Sequence, residues 1–227
     1  MRIDIWSDVV CPWCWIGKRR FQQGLALLGD EAPAVEVRWH PFLLDPEAGA
    51  EPVPLREAYA RKFGGPERTA QLLAGTQATA RAEGLPFDFD RGQVRVTTLP
   101  AHRLLWLAAR EGDADAAGEA LFHAHFAEGR NLADPETLVA AGRAGGLPEA
   151  RIRAFLAGSE GEAEVRAQVA QAQAMGIRSV PTFVIDGRLA VQGAQSPELF
   201  AEALRRAGAP APAAPTGDAC GPDGCRV

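Results

Sequence analysis

Hydrophobic and polar positions alternate in two different ways along this chain. Residues 1–6 alternate with a period of two and predict a strand. Residues 12–29 follow a helical period, with Cys14, Phe21, Leu25 and Leu28 on one stripe, until Gly29-Asp30 ends the pattern. Residues 35–40 alternate again and predict a second strand, closed by Pro41 and Asp45-Pro46. From about residue 54 to 176 helical spacing takes over. The expected helices are 55–63, 67–83, 101–110, 114–128, 135–144, 148–157 and 160–175, punctuated by Gly and Pro. Strands return at 182–185 and 188–191. The Asp186-Gly187 pair between them predicts a hairpin, because both residues tolerate the positive φ of a tight turn. Ser196 then caps a last helix to 206, with Pro197 at its first position.

Strand, helix, strand, helical block, hairpin, helix predicts an α/β fold. Residues 1–44 and 177–207 supply one discontinuous sheet-bearing domain, and 45–176 form a large all-helical insertion. Residues 208–227 read as a Pro/Ala linker with a cysteine-bearing tail. Apolar residues make up 47% of the 227, enough for a packed core. A net charge of −5 and no basic cluster argue against a nucleic-acid partner. No run of 18 apolar residues suggests a membrane span. Met1 leads straight into the first strand without a charged-then-apolar leader, so the expected location is the cytoplasm. Cysteine pairs there are more often catalytic, redox-sensing or metal-binding than structural.

Four cysteines are present, in two close pairs. Cys11-Pro12-Trp13-Cys14 lies where the first strand gives way to the first helix. Spacing of i and i+3 puts both thiols on one face of the first turn. The helix N-terminus carries partial positive charge and unpaired N–H groups, which favour an anion. Pro12 fits the first helical position, where its missing N–H costs nothing. Cys11, at the helix mouth, is the expected nucleophile. Cys14, one turn further in and more buried, is expected to resolve the mixed disulfide. The alternatives are two buried thiols or half of a zinc site completed by Cys220 and Cys225. Against zinc, the tail spacing is at the edge of the usual range and a Pro-rich linker scaffolds it poorly. Cys220-Gly221-Pro222-Asp223-Gly224-Cys225 holds a turn signal between its cysteines, and it reads as a second redox pair rather than an accidental tail. The 14-residue linker from Arg206 to Cys220 has a flexible end-to-end distance of roughly 20 Å, within reach of the first pair.

Three segments carry a resemblance to a known family. They are Asp4-Ile5-Trp6-Ser7-Asp8-Val9-Val10-Cys11-Pro12-Trp13-Cys14-Trp15-Ile16-Gly17, then Ala101-His102-Arg103-Leu104, then Ser179-Val180-Pro181-Thr182-Phe183-Val184. Over residues 1–206 the chain resembles the DsbA family, and within it the FrnE-type cytoplasmic subgroup. The resemblance implies a thioredoxin fold interrupted by a helical insertion, with protein thiol–disulfide oxidoreductase or isomerase activity. By position, Pro181 matches the family's cis proline beside the CxxC. The resemblance makes it a substrate-platform residue, flanked by Val180 and Thr182, where an extended substrate pairs like an added strand. Pro12 and Trp13 complete the expected substrate-binding set. Implied substrates are cysteine-bearing unfolded or oxidised proteins. No metal or organic cofactor is implied, and glutathione or another thiol would exchange electrons. The family's strongest oxidants have Pro-His between the cysteines. Trp13 brings no charge, so a more reducing couple is expected here. A sister branch, the kappa-class glutathione transferases and hydroxychromene-carboxylate isomerases, has serine at the position of Cys11 and asparagine where this chain has Thr97-Thr98. A glutathione-linked transferase on the same fold is therefore the principal rival; a zinc-binding or chaperone module is the other.

Remaining candidates have plainer readings. His102 reads as a capping or core hydrogen-bond residue before a catalytic one. His123 and His125, two apart on a helix, face different ways and make a poor metal pair; His40 stays unassigned. Asp8, Glu36 and Arg38 read as solvated charges before proton acceptors for Cys14. Phe87-Asp88-Phe89 reads as an extended segment packed on the insertion before a substrate groove. Trp13 and Trp15 are expected to offer apolar contact to unfolded chains.

Overall fold

The structure is a computed structural model and describes residues 1–208. Strand β1 (Arg2–Ser7) leads through a tight loop into α1 (Pro12–Ala26). The helix stops short of residue 29, and a 3-10 turn (Gly29–Glu31) carries the chain to β2 (Glu36–Pro41). Beyond β2 come β3 (Val53–Pro54), α2 (Leu55–Phe63), α3 (Pro66–Ala82), β4 (Val94–Arg95), α4 (Leu99–Glu111), α5 (Ala114–Phe126), α6 (Pro135–Ala144), α7 (Glu149–Ala157) and α8 (Glu162–Ala174). The hairpin β5 (Thr182–Ile185) and β6 (Leu189–Gln192) and the helix α9 (Pro197–Gly208) complete the described residues.

The main sheet has the order β2-β1-β5-β6, with β1 parallel to β2 and antiparallel to β5. Central β1 alternates in sequence, yet it is buried on both faces from Ile3 onward. Ile3 and Ile5 face a core shared with Phe21 of α1, Phe183 of β5, and Phe200 and Leu204 of α9. Asp4 and Trp6 face the other way, toward Gln168, Gln171 and Met175 around α8. Period-two alternation therefore marks two different buried environments here, one apolar and one polar.

At the hairpin both Asp186 (φ 48°) and Gly187 (φ 68°) sit in the left-handed region, and the Arg188 N–H bonds the Ile185 carbonyl at 3.0 Å. The anticipated Asp-Gly turn is present, with β6 beginning one residue later than expected. The tiny sheet of β3 and β4 was not anticipated: two residues per strand are too few to alternate.

Helices α1 and α9 touch at Gly24. A Cβ there would lie 2.7 Å from the Phe200 Cβ and 2.8 Å from the Pro197 carbonyl oxygen. The obstruction includes backbone, so the helices must move apart. Gly24→Ala is expected to lower stability by roughly 1–3 kcal/mol despite alanine's better helix propensity. Urea denaturation checks this, and a stabilised variant would contradict the packing described.

A second core, built by Leu104, Leu107, Leu121, Leu138, Ile152 and Phe155, holds α4 to α7 together. A third joins α1 to the insertion. It contains Cys11, Cys14, Trp15 and Ile16, with Leu73, Phe87, Phe89, Phe122 and Phe126 around them. Trp15 stacks on Phe87, Phe122 and Phe126, and its indole N–H donates to Glu119 at 2.8 Å. Buried Lys18 pairs with Glu119 at 2.5 Å and Asp115 at 3.1 Å. Burial pushes the Glu119 carboxyl up, but the hydrogen bonds from Lys18 and Trp15 outweigh it and hold the group below its usual range. These contacts correct one expectation and meet another. Trp15 is core rather than a contact for unfolded chains, and the Phe87-Asp88-Phe89 aromatics are packed as expected rather than lining a groove, because both lie in the seam that carries the insertion on α1.

Candidate active site

Cys11 is the N-cap residue of α1, with extended dihedrals (φ −87°, ψ 111°) and Pro12 following at the first position. No side chain caps the helix start, and with Pro12 lacking an N–H it is the positive end of the α1 dipole and the Trp13 N–H that remain for the sulfur. The loop is pinned by the Cys11 N–H donating to the Asp8 carbonyl at 2.9 Å and the Cys14 N–H donating to the Cys11 carbonyl at 3.0 Å. Both cysteines are free thiols.

The expected contrast in burial is small, since Cys11 is 3% exposed and Cys14 1%. What distinguishes them is surroundings. The Cys11 thiol points at the Val180 carbonyl, 3.7 Å away. Cys14 is enclosed, and its thiol is pushed well above the ordinary cysteine range, first by burial and then by its neighbour Cys11; the Ser7 hydroxyl and the Asp8 backbone oppose this in part. The inner thiol therefore holds its proton until another group takes it.

The Val180–Pro181 peptide is cis. Its loop sits directly on α1: a Cβ at Gly17 would come 3.0 Å from the Pro181 ring and 3.5 Å from Ala194. Thr182 is buried, and its hydroxyl donates to the Ser179 carbonyl at 2.8 Å, fixing the turn into β5. Trp13 is 42% exposed and Pro12 half-buried. Cys11, Cys14, Val180 and Pro181 are thus gathered in one place. Cys220 and Cys225 lie outside the described residues.

Beneath the dithiol is a polar group whose arrangement is not evident from sequence. Asp8, first read as a solvated charge, is 1% exposed. Its carboxylate accepts the Leu44 N–H at 2.8 Å and meets His102 Nε2 at 3.1 Å. Burial follows from the position of Asp8 in the turn between β1 and α1, capped by α4. Glu36 and Arg38 do pair on the surface, at 2.7 Å. His102 is in the hydrogen-bonded core role expected for it. His40 meets Asp4 at 2.9 Å and stacks on Trp6. His123 is exposed beside Glu128, while His125 is buried with no partner for Nδ1 among the described residues.

Tyr59 of α2 was not singled out by the sequence. It packs against the cysteine core, and its phenol is pushed up to about 12, first by burial and then by negative charge at Cys11, Asp8 and Asp45. It stays protonated beside the dithiol. No local signal separates this tyrosine from a helix-surface residue, because α2 reaches the site only through the tertiary fold.

Burial pushes His125 down to about 4, against smaller opposing effects of the Asp8 charge and the Arg130 backbone. Unfolded, a histidine titrates near 6.5. Between these values the unfolded chain binds a proton that the folded chain refuses, so stability falls as pH drops, by roughly 3 kcal/mol in all. Urea midpoints measured from pH 7 to 4 check this. His125→Leu is expected to show a shallower loss across that window, and an unchanged slope would contradict it.

A dithiol at a helix N-terminus, under a proline-bearing loop, on a four-stranded sheet with a helical insertion defines the thioredoxin-like architecture of DsbA-type proteins. The chain belongs to the DSBA-like thioredoxin domain family, whose model matches residues 2–205. The crystal structure of a probable DsbA oxidoreductase from Streptomyces coelicolor, SCO1869, is similar, with 36% identity and a TM-score of 0.85, covering 100% of this chain and 99% of that one. Also similar is the cytosolic disulfide reductase DsbM from Pseudomonas aeruginosa, at 25% identity and TM-score 0.58, over 91% and 98% of the two chains. An uncharacterized Bacillus subtilis (strain 168) protein, YwbO, is 26% identical over 205 residues, 90% of this chain and 96% of its own.

Proposed function

We propose that this protein is a cytoplasmic dithiol–disulfide oxidoreductase, with disulfide isomerase capacity, acting on cysteine-bearing unfolded or oxidised proteins. The observation that carries this reading is the pairing of an N-cap Cys11 facing the Val180 carbonyl with an enclosed, protonated Cys14 one turn behind. The Cys11 thiolate attacks a substrate disulfide. One substrate sulfur leaves as a thiolate, and the other stays bonded to Cys11. Cys14 then loses its proton and its sulfur attacks Cys11, forming the Cys11–Cys14 disulfide and releasing the second substrate thiolate. The enzyme dithiol loses two electrons and the substrate disulfide gains them. A substrate thiol that re-attacks before Cys14 closes the ring gives isomerisation instead.

Val180, Pro181 and Thr182 act as the platform for the substrate backbone, while Pro12 and Trp13 contact its side chains. Glutathione is the proposed thiol partner, by analogy with DsbM, which has been solved with GSH. The FrnE-type subgroup and the cytoplasmic location rest on the sequence resemblance, with the cytosolic role of the similar DsbM in support. The retained thiol at Cys11 favours this reading over the transferase alternative, whose branch carries serine there.

Insulin-disulfide reduction with glutathione as donor, alongside reactivation of a scrambled disulfide protein, tests the reading. Turnover in both supports it; glutathione conjugation of an electrophile with neither activity would replace it by the transferase. We further propose that Cys220 and Cys225 exchange with the first pair. The double variant Cys220→Ser/Cys225→Ser is expected to keep single-turnover reactivity but to need more external thiol for multiple turnover. In Cys14→Ser protein a Cys11–Cys220 or Cys11–Cys225 disulfide is expected in non-reduced digests. Normal turnover and no crosslink would remove the tail from the mechanism.

A further inference from the structure

A cavity of about 110 Å³ lies behind the dithiol, where β1 and β2 meet α4 and α5. Ser7, Lys18, His102, Asp115, Gly118 and Gln168 contribute to its wall. A water needs roughly 10–15 Å³ of such space and two to four polar partners, so the cavity suits several waters. Ser7 forms the end of β1, and its buried hydroxyl acts on the Cys14 thiol, lowering it, while no other group among the described residues bonds it. A buried hydroxyl with so few partners is costly and calls for an explanation. His102, held by Asp8, is on the same cavity wall. Lys18, His40, Arg110 and Asp115 are the other titratable groups on the cavity wall, while Cys11 and Tyr59, packed in the core of Cys14, do not line it.

We propose that the Cys14 proton leaves inward: the Ser7 hydroxyl accepts it while passing its own proton to water in this cavity, beside the His102–Asp8 pair. The inference rests on the dithiol mechanism proposed above and assigns a group to the resolving step. The Cys14 S–H bond breaks, the proton moves through Ser7 Oγ to cavity water, and the sulfur lone pair forms the bond to Cys11 as the substrate thiolate departs. No outside oxidant is needed beyond the mixed disulfide itself. Ser7 is a positioning and relay residue, and Cys11 attack does not require it.

The experiment mixes reduced full-length protein with oxidised glutathione, quenches by alkylation, and follows the mixed disulfide and the Cys11–Cys14 disulfide separately by mass spectrometry. Ser7→Ala is expected to form the mixed disulfide at the wild-type rate and to close the ring roughly 100-fold more slowly, the low end of the range for lost acid–base assistance. Ser7→Thr, which keeps the hydroxyl and can point its extra methyl into the cavity, is expected to restore closure. Gly118→Leu fills the cavity from α5 without touching the dithiol; a Cβ there meets only the Leu105 side chain, at 3.7 Å. It is expected to slow closure as Ser7→Ala does. Wild-type closure is expected to slow in deuterium oxide, with that sensitivity altered in Ser7→Ala. Wild-type closure rates in either Ser7→Ala or Gly118→Leu, or equal slowing of both steps, would overturn the relay while leaving the dithiol mechanism standing. Failure of the wild type to form any mixed disulfide would overturn both.

Discussion

Cys11→Ser is expected to abolish insulin-disulfide reduction, and Cys14→Ser is expected to leave attack intact while mixed disulfides accumulate. The asymmetry follows from placement. Cys11 is the cap of α1, at the positive end of the helix dipole, and its thiol faces the Val180 carbonyl. Cys14 is one turn behind, enclosed by the seam between α1 and the insertion. Serine at Cys11 keeps the shape but removes the nucleophile, and no second thiol occupies that position. Serine at Cys14 removes only the sulfur that displaces the bound substrate. Activity of Cys11→Ser equal to wild type would refute the assignment of the nucleophile, and the reverse pattern of trapped intermediates would exchange the two roles.

Asp8→Ala is expected to cost about 3–5 kcal/mol of stability, the range for removing one member of a buried pair. The lost carboxylate leaves His102 without its partner in a fully buried position, and it removes the acceptor of the Leu44 N–H at the edge of the site. The same turn carries Cys11 through the Asp8 carbonyl, so the site loosens together with the fold. Asp8→Asn, which keeps an acceptor for Leu44, is expected to lose clearly less. In a chain of this size each kcal/mol moves the melting midpoint by roughly 2–4 °C, so the alanine variant should melt on the order of 10 °C lower. An Asp8→Ala protein within 1 °C of wild type would show that the pair carries no structural weight.

The contrast between Cys11 and Asp8 explains how much was legible beforehand. Cys11, Pro12 and Cys14 announce themselves because helix-start chemistry is local: a cap position, a proline at the first turn and a spacing of three are all written within four residues. The Asp186-Gly187 hairpin was legible for the same reason. Asp8 is only three residues from Cys11, yet its burial depends on α4, which arrives about 90 residues later and brings His102. Charge alone favoured solvent, and nothing local opposed that. Trp15 was misplaced because a helix mouth looks exposed until α5 and the Phe87–Phe89 segment close over it. Ser7 and Tyr59 carried no signal at all, since their roles arise only where three separate stretches meet. Strands β3 and β4 are too short for any periodicity. What the sequence conveys well is local geometry; what it conveys poorly is which polar residues the insertion will cover.

The central claim is that Cys11 and Cys14 cycle between dithiol and disulfide. It is tested most directly by equilibrating the purified full-length protein in glutathione buffers of graded potential, alkylating, and weighing the peptide that carries both cysteines. The account predicts a two-electron transition to an internal Cys11–Cys14 disulfide, at a potential between about −270 mV and about −120 mV, the thioredoxin and DsbA values. Trp13, in place of a charged neighbour, is the reason for expecting a couple more reducing than the upper limit. A peptide that stays fully reduced across the series, or that stops at a glutathione mixed disulfide on Cys11 without closing the ring, would contradict the account.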